Sequence, residues 1–144
     1  MPPIRVLIVE DSAFMRHALG RLLSEADGIE VVGSAGNGEL GLESARTLRP
    51  DVITLDVEMP VMDGLTMLRR LMIETPTRVI MLSSLTIEGA TISLDALDSG
   101  AIDVVAKPGG SLSINIGRVG DELVASIRAA AAMSRSPRSP SVRI

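Results

Sequence analysis

The sequence predicts an α/β fold of the doubly wound kind: a parallel five-stranded sheet with helices on both faces. Three observations predict it. Strand-like and helix-like segments alternate five times along the chain. The strand segments are short runs rich in Val, Ile and Leu, as strands buried on both faces are. The 144 residues suit one domain with a core of useful size. Regular alternation of this kind leads to parallel strands joined by right-handed crossovers.

The elements follow in order. Ile4 to Val9 reads as the first strand. Asp11 or Ser12 can cap the next helix, where Met15, Ala18, Leu19, Leu22, Leu23 and Ala26 recur at helical spacing. Ile29 to Ala35 is the second strand, and Gly36-Asn37-Gly38 the turn after it. A short helix over 39–48 carries Leu40, Ala45 and Leu48, and Arg49-Pro50 stops it. Asp51 to Asp56 is the third strand. Asp63 caps a helix with Leu65, Leu68, Leu71 and Met72. Arg78 to Ser83 is the fourth strand, and Glu88 to Asp98 a helix ending at Gly100. Ala101 to Ala106 is the fifth strand. A loop rich in Gly and Ser leads to a last helix from about Val119 to Met133. Residues 1–133 form the domain. Residues 134–144, with two Arg-Ser-Pro steps, have no means of building a core and read as an interdomain linker or tail.

Composition narrows the function. Hydrophobic residues make up 46% of the chain, which argues against disorder over most of it. No apolar run approaches the ~20 residues of a membrane span. The start, Met1-Pro2-Pro3-Ile4-Arg5, lacks the pattern of a signal peptide. There is no Cys, hence no disulfide and no thiolate metal site. These features read as a cytoplasmic protein. The net charge of -4 hides an asymmetry: Arg135, Arg138 and Arg143 lie in the tail, so residues 1–133 hold 18 acids against 11 bases. Nucleic-acid binding wants a basic face and stacking aromatics, and Phe14 is the sole aromatic.

In doubly wound sheets, ligands sit beyond the carboxyl ends of the strands, where the strand order reverses. Strand one ends in Glu10-Asp11, strand three in Asp56, strand four in Ser83-Ser84 and strand five in Lys107-Pro108. If the order is 2-1-3-4-5, taken by analogy with other sheets of this size, those four strands are neighbours. Three carboxylates, two hydroxyls and an ammonium then share one edge. Crowded carboxylates raise one another's pKa unless a cation intervenes. Mg2+ suits the set, because it takes oxygen ligands and commonly completes its shell with a phosphate oxygen. A carboxylate held there can attack a phosphoryl group and become an acyl phosphate. Lys107 would neutralise charge on that group, and Ser83 would donate a hydrogen bond to it. Each residue alone has a bland explanation. Asp11 could cap its helix, and Ser83 and Ser84 could be turn residues. The coincidence at four strand ends is what carries the functional reading.

Val9-Glu10-Asp11-Ser12, Leu55-Asp56-Val57-Glu58-Met59-Pro60 with Asp63-Gly64, and Ala106-Lys107-Pro108 resemble the signatures of response-regulator receivers, over about residues 4 to 133. The resemblance implies a flavodoxin-like receiver fold. It implies Glu10 and Asp11 as Mg2+ acids, Asp56 as the phosphoacceptor, Ser83 as the switch hydroxyl and Lys107 as the phosphate partner. Glu58 would lend a backbone carbonyl to the metal, and its side chain and that of Ser84 would border the phosphoryl group. Lys107-Pro108 would be a cis peptide. Where many receivers carry an aromatic three residues before the Lys, this chain has Val104. A narrower likeness also exists. Asp11-Ser12-Ala13-Phe14-Met15-Arg16, Met81-Leu82-Ser83-Ser84-Leu85-Thr86, Gly89-Ala90 and Gly100-Ala101-Ile102-Asp103 are similar to the chemotaxis protein-glutamate methylesterase branch. That branch implies a histidine kinase as phosphodonor, a methylesterase domain in cis and chemoreceptors as partners. The receiver alone would not be a turnover enzyme.

Rival readings stand beside this one. A stand-alone receiver of another pathway has the same motifs. An aspartate-nucleophile phosphatase usually has Asp where Glu58 stands and lacks an acidic pair on strand one. A flavin carrier of the same fold would want aromatics and a hydroxyl-rich loop in place of Glu10-Asp11. His17, in the first helix, reads as partly exposed and away from the strand ends. Met59, Met62, Met67, Met72 and Met81 read as packing residues.

Overall fold

The computed structural model describes residues 2–84, 87–107 and 112–133. The expected linker 134–144 and the Lys107-Pro108 bond lie outside the described residues. Five strands alternate with five helices: β1 Ile4–Val9, α1 Ala13–Ser24, β2 Ile29–Ala35, α2 Gly38–Leu48, β3 Val52–Asp56, α3 Gly64–Glu74, β4 Arg78–Ser83, α4 Ile87–Asp98, β5 Asp103–Ala106 and α5 Leu112–Ala131. The strands are all parallel, in the order β2-β1-β3-β4-β5. This is the predicted doubly wound sheet of flavodoxin-like type.

Two cores cover the sheet. Leu7, Val9, Ile53, Leu55, Val79 and Met81 pack with residues of α2, α3 and α4 on one face. Val6, Ile8, Val52, Ile80 and Leu82 pack with α1 and α5 on the other. The strict alternation of faces explains why β1, β3 and β4 are apolar at nearly every position. Side chains cap the first three helices. Ser12 Oγ accepts from the Met15 amide, so Ser12, and not Asp11, caps α1. Asn37 caps α2 and Asp63 caps α3.

Among the boundaries that differ from the sequence reading, three have a clear physical cause. Helix α5 begins at Leu112, seven residues earlier than Val119. Low helix propensity in that stretch, Gly117 included, points the other way. Ile116 continues the buried row of Val119, Leu123, Ile127 and Ala130, and packing outweighs propensity. Strand β5 begins at Asp103, because Ala101 closes the turn after α4 by donating to the Ala96 carbonyl. Strand β3 begins at Val52, since the Asp51 carboxylate accepts from the Arg5 amide.

Candidate functional site

The carboxyl ends of β1, β3, β4 and β5 lie side by side. The register pairs Val9 with Leu55, Asp56 with Leu82 and Ser83 with Ala106. Glu10 and Asp56 thereby leave adjacent strands as neighbours. Both are fully buried, and Ser83 is 3% exposed. Asp11 stands at the exposed mouth of the pocket. One carboxylate oxygen from each of Glu10, Asp11 and Asp56 lies within 4.8 Å of the others. Lys107 enters from the end of β5. Its Nζ is 2.7 Å from Asp56 Oδ1 and 3.8 Å from Glu10 Oε1. The Lys107 amide donates to the Ser83 carbonyl at 2.8 Å, which ties the ends of β4 and β5 together.

The pocket is electrostatically loaded. Burial, with the Asp56 carboxylate alongside, pushes the Glu10 carboxyl up to about 8, against the pull of the Ser12 amide and Lys107. Burial also raises the Asp56 carboxyl, against its bond to Lys107. Burial pulls the Lys107 ammonium down, but its bond to Asp56 and the charges of Asp56, Glu10 and Asp11 prevail, so its pKa is raised. Glu10 Oε1 and Asp56 Oδ2 are buried with no hydrogen-bond partner. Orphaned carboxylate oxygens are costly unless something fills the gap. Hard oxygen donors from three neighbouring acids, two of them without a hydrogen bond, fit a divalent cation such as Mg2+.

The predicted residues therefore meet, with one difference of detail. The Ser83 hydroxyl turns toward α4, donating to the Gly89 carbonyl at 3.2 Å, and Ser93 Oγ donates to the same carbonyl at 2.7 Å. Glu58 is exposed, and its amide lies 3.4 Å from Asp56 Oδ1. Ser84, half-buried, follows β4. Val104 is partly buried against the α2–α4 core. His17 is exposed on α1.

Glycines set the close approaches. A Cβ at Gly64 would lie 2.1 Å from the Asp56 carbonyl oxygen, so Gly64 alone lets α3 start against the end of β3. A Cβ at Gly89 would lie 2.3 Å from the Ser84 carbonyl oxygen. Sequence reasoning quoted both residues only as pieces of motifs. It also missed the reach of Arg16, whose Nη1 bonds the Glu10 carbonyl at 2.6 Å.

A parallel five-stranded sheet with this acid pocket and lysine at its carboxyl edge is the arrangement of a receiver domain. The chain belongs to the response regulator receiver domain family, whose model matches residues 6–114. Within it, the chain is of the CheB-like chemotaxis type. It is 51% identical over 142 residues to a protein-glutamate methylesterase/protein-glutamine glutaminase of Symbiobacterium thermophilum, covering 99% of this chain and 39% of that protein. It is 47% identical to the response regulator domain of Thermotoga maritima CheB, with a TM-score of 0.85, covering 92% of this chain and 98% of that one. It is 30% identical to a chain of the CheX–CheY–BeF3–Mg2+ complex of Borrelia burgdorferi, with a TM-score of 0.67, covering 85% of this chain and 90% of that one. The chain spans less than two fifths of the length of the methylesterase of Symbiobacterium that it matches. Among the described residues no helix is long and apolar enough to cross a membrane.

Proposed function

We propose that this domain is a Mg2+-dependent phosphoryl switch of a chemotaxis pathway, in which Asp56 takes a phosphoryl group from a histidine kinase in the cytoplasm. The observation that carries the reading is Asp56 itself. It is fully buried at the end of the central strand, with one oxygen unpartnered and the other on Lys107. Glu10, Asp11 and Asp56 would hold the cation, with the Glu58 backbone carbonyl, and Mg2+ would supply neutralisation of phosphoryl charge. The Asp56 carboxylate attacks phosphorus, the bond from phosphorus to the donor imidazole nitrogen breaks, and the leaving imidazole takes up a proton from water. The product is an acyl phosphate.

Readout follows from the residues in place. Lys107 moves its bond from Asp56 to the new phosphoryl oxygens. Ser83 turns from the Gly89 carbonyl to the same group, which loosens the start of α4 from β4. Ser93 still satisfies the carbonyl that Ser83 leaves. With Val104 in place of an aromatic, this hydroxyl-to-helix link carries the signal. The face of α4, β5 and α5 then regulates a methylesterase domain in cis that acts on chemoreceptors. The likeness to methylesterases over less than two fifths of their length supports that architecture, and exposed Leu94 and Leu97 on α4 offer it an apolar contact. Intact mass after acetyl phosphate and Mg2+ tests the proposal. A gain of one phosphoryl group in the native chain and none in Asp56→Asn is expected. A gain retained in Asp56→Asn would refute it.

A further inference from the structure

We infer that Arg16 is a positioning residue for the metal-binding acids, acting through the backbone of the β1–α1 loop. The inference rests on the reading of the acid pocket as a Mg2+ site. Glu10 is buried within the sheet edge, but Asp11 lies outside it, exposed. The Asp11 carboxylate therefore goes where the loop backbone puts it. Arg16 sits one turn into α1, its amide on the Ser12 carbonyl at 2.8 Å. Its guanidinium reaches back over the loop. Nη1 donates to the Glu10 carbonyl at 2.6 Å and touches the Asp11 carbonyl at 3.5 Å.

From the other side, the Glu10 amide donates to the Ala35 carbonyl at 3.0 Å, and the Glu10 carboxylate accepts from the Ser12 amide at 3.0 Å. The Glu10-Asp11 peptide is thus pinned on both flanks. Among the described residues Arg16 makes no ion pair, so its influence on the acids runs through their carbonyls. A short charge-assisted bond to a carbonyl is among the stronger fixings a loop can have. Space is kept for it by Gly36 of the facing loop. A Cβ there would come within 3.3 Å of Arg16 Nη1. Gly36 is not among the positive-φ glycines, so its backbone does not demand glycine. The room it leaves is occupied by the guanidinium. Groups one layer behind a metal's ligands commonly change affinity 10- to 100-fold when removed.

The test compares native protein, Arg16→Met, Arg16→Lys and Gly36→Val. Calorimetric titration with Mg2+ measures affinity, thermal unfolding measures stability, and hydrogen exchange in EDTA measures the Glu10 and Ser12 amides, both hydrogen-bonded in the loop. Arg16→Met should weaken Mg2+ binding about tenfold and speed exchange at those two amides, with a melting point close to native. Acyl-phosphate formation should return to the native rate once Mg2+ is raised to saturation. Arg16→Lys, which keeps a donor, should recover part of the affinity. Gly36→Val should weaken Mg2+ in the same direction with Arg16 still present, and it decides the matter if Arg16→Met does not fold. Native affinity in both Arg16→Met and Gly36→Val would overturn the inference while leaving the Mg2+ site standing. Absence of Mg2+ binding by the native protein would overturn the site, and this inference with it.

Discussion

Replacing Glu10 by Gln should stabilise the metal-free domain, and increasingly so as pH rises. Glu10 is fully buried and its carboxyl is pushed from 4.5 up to about 8. The folded state therefore holds a proton that the unfolded chain gives up. Stability from this group is fully present below the unfolded value and is lost as pH rises toward the folded one. Across the full window the loss is about 5 kcal/mol, and between pH 6 and 8 about 2–3 kcal/mol. Asp56 titrates with Glu10, so the assay reads the pair. Glu10→Gln cannot ionise, which also relieves Asp56 of a charged neighbour. Urea unfolding followed by far-UV circular dichroism in EDTA, from pH 6 to 9, measures this for both proteins. The native curve should fall well below that of Glu10→Gln at the alkaline end, and excess Mg2+ should close the gap by stabilising the native protein alone. Parallel pH profiles for the two proteins would refute the reasoning.

Three further substitutions test single contacts. Thr54 Oγ1 is buried without a partner on the central strand, so Thr54→Val should gain about 1 kcal/mol in urea unfolding; a loss would mean the hydroxyl is bonded. Val61 sits at φ 69 and is 77% exposed, a conformation that β-branched residues rarely adopt. Val61→Asn should therefore raise stability by about 1 kcal/mol, and an unchanged midpoint would contradict the strain. Ser83→Ala should cost about 1 kcal/mol, because Ser93 keeps the Gly89 carbonyl bonded. It should still accept a phosphoryl group, but with smaller amide shifts at Gly89 and Ser93 on phosphorylation. Native-sized shifts in that variant would show that the hydroxyl is not the link to α4.

The alternation and the set of groups at the strand ends, Glu10, Asp11, Asp56 and Lys107, were legible from residue type, whereas the strand order that makes them meet was taken by analogy and is what the structure has. Apolar runs mark the strands, and a parallel sheet brings their carboxyl ends to one edge. Asp11 and Ser12 were equivalent as caps in the sequence, and only the geometry of the first turn separates them. The start of α5 was misplaced because local propensity around Gly117 opposes a helix that Ile116 stabilises by burial. The direction of the Ser83 hydroxyl was not legible, since it depends on how closely α4 approaches at Gly89. The Arg16 contact was hidden for a different reason. Its motif was visible, but its carbonyl partners carry no side-chain signature.

The central claim is that Asp56 becomes an acyl phosphate in a Mg2+-dependent way. Borohydride reduces an aspartyl phosphate to homoserine, which marks the modified residue permanently. The native domain, incubated with acetyl phosphate and Mg2+ or with acetyl phosphate and EDTA, can be trapped in this way and mapped by peptide mass spectrometry. The account predicts homoserine at position 56 with Mg2+ and little or none with EDTA. Homoserine at another aspartate, or equal trapping at Asp56 in EDTA, would contradict it.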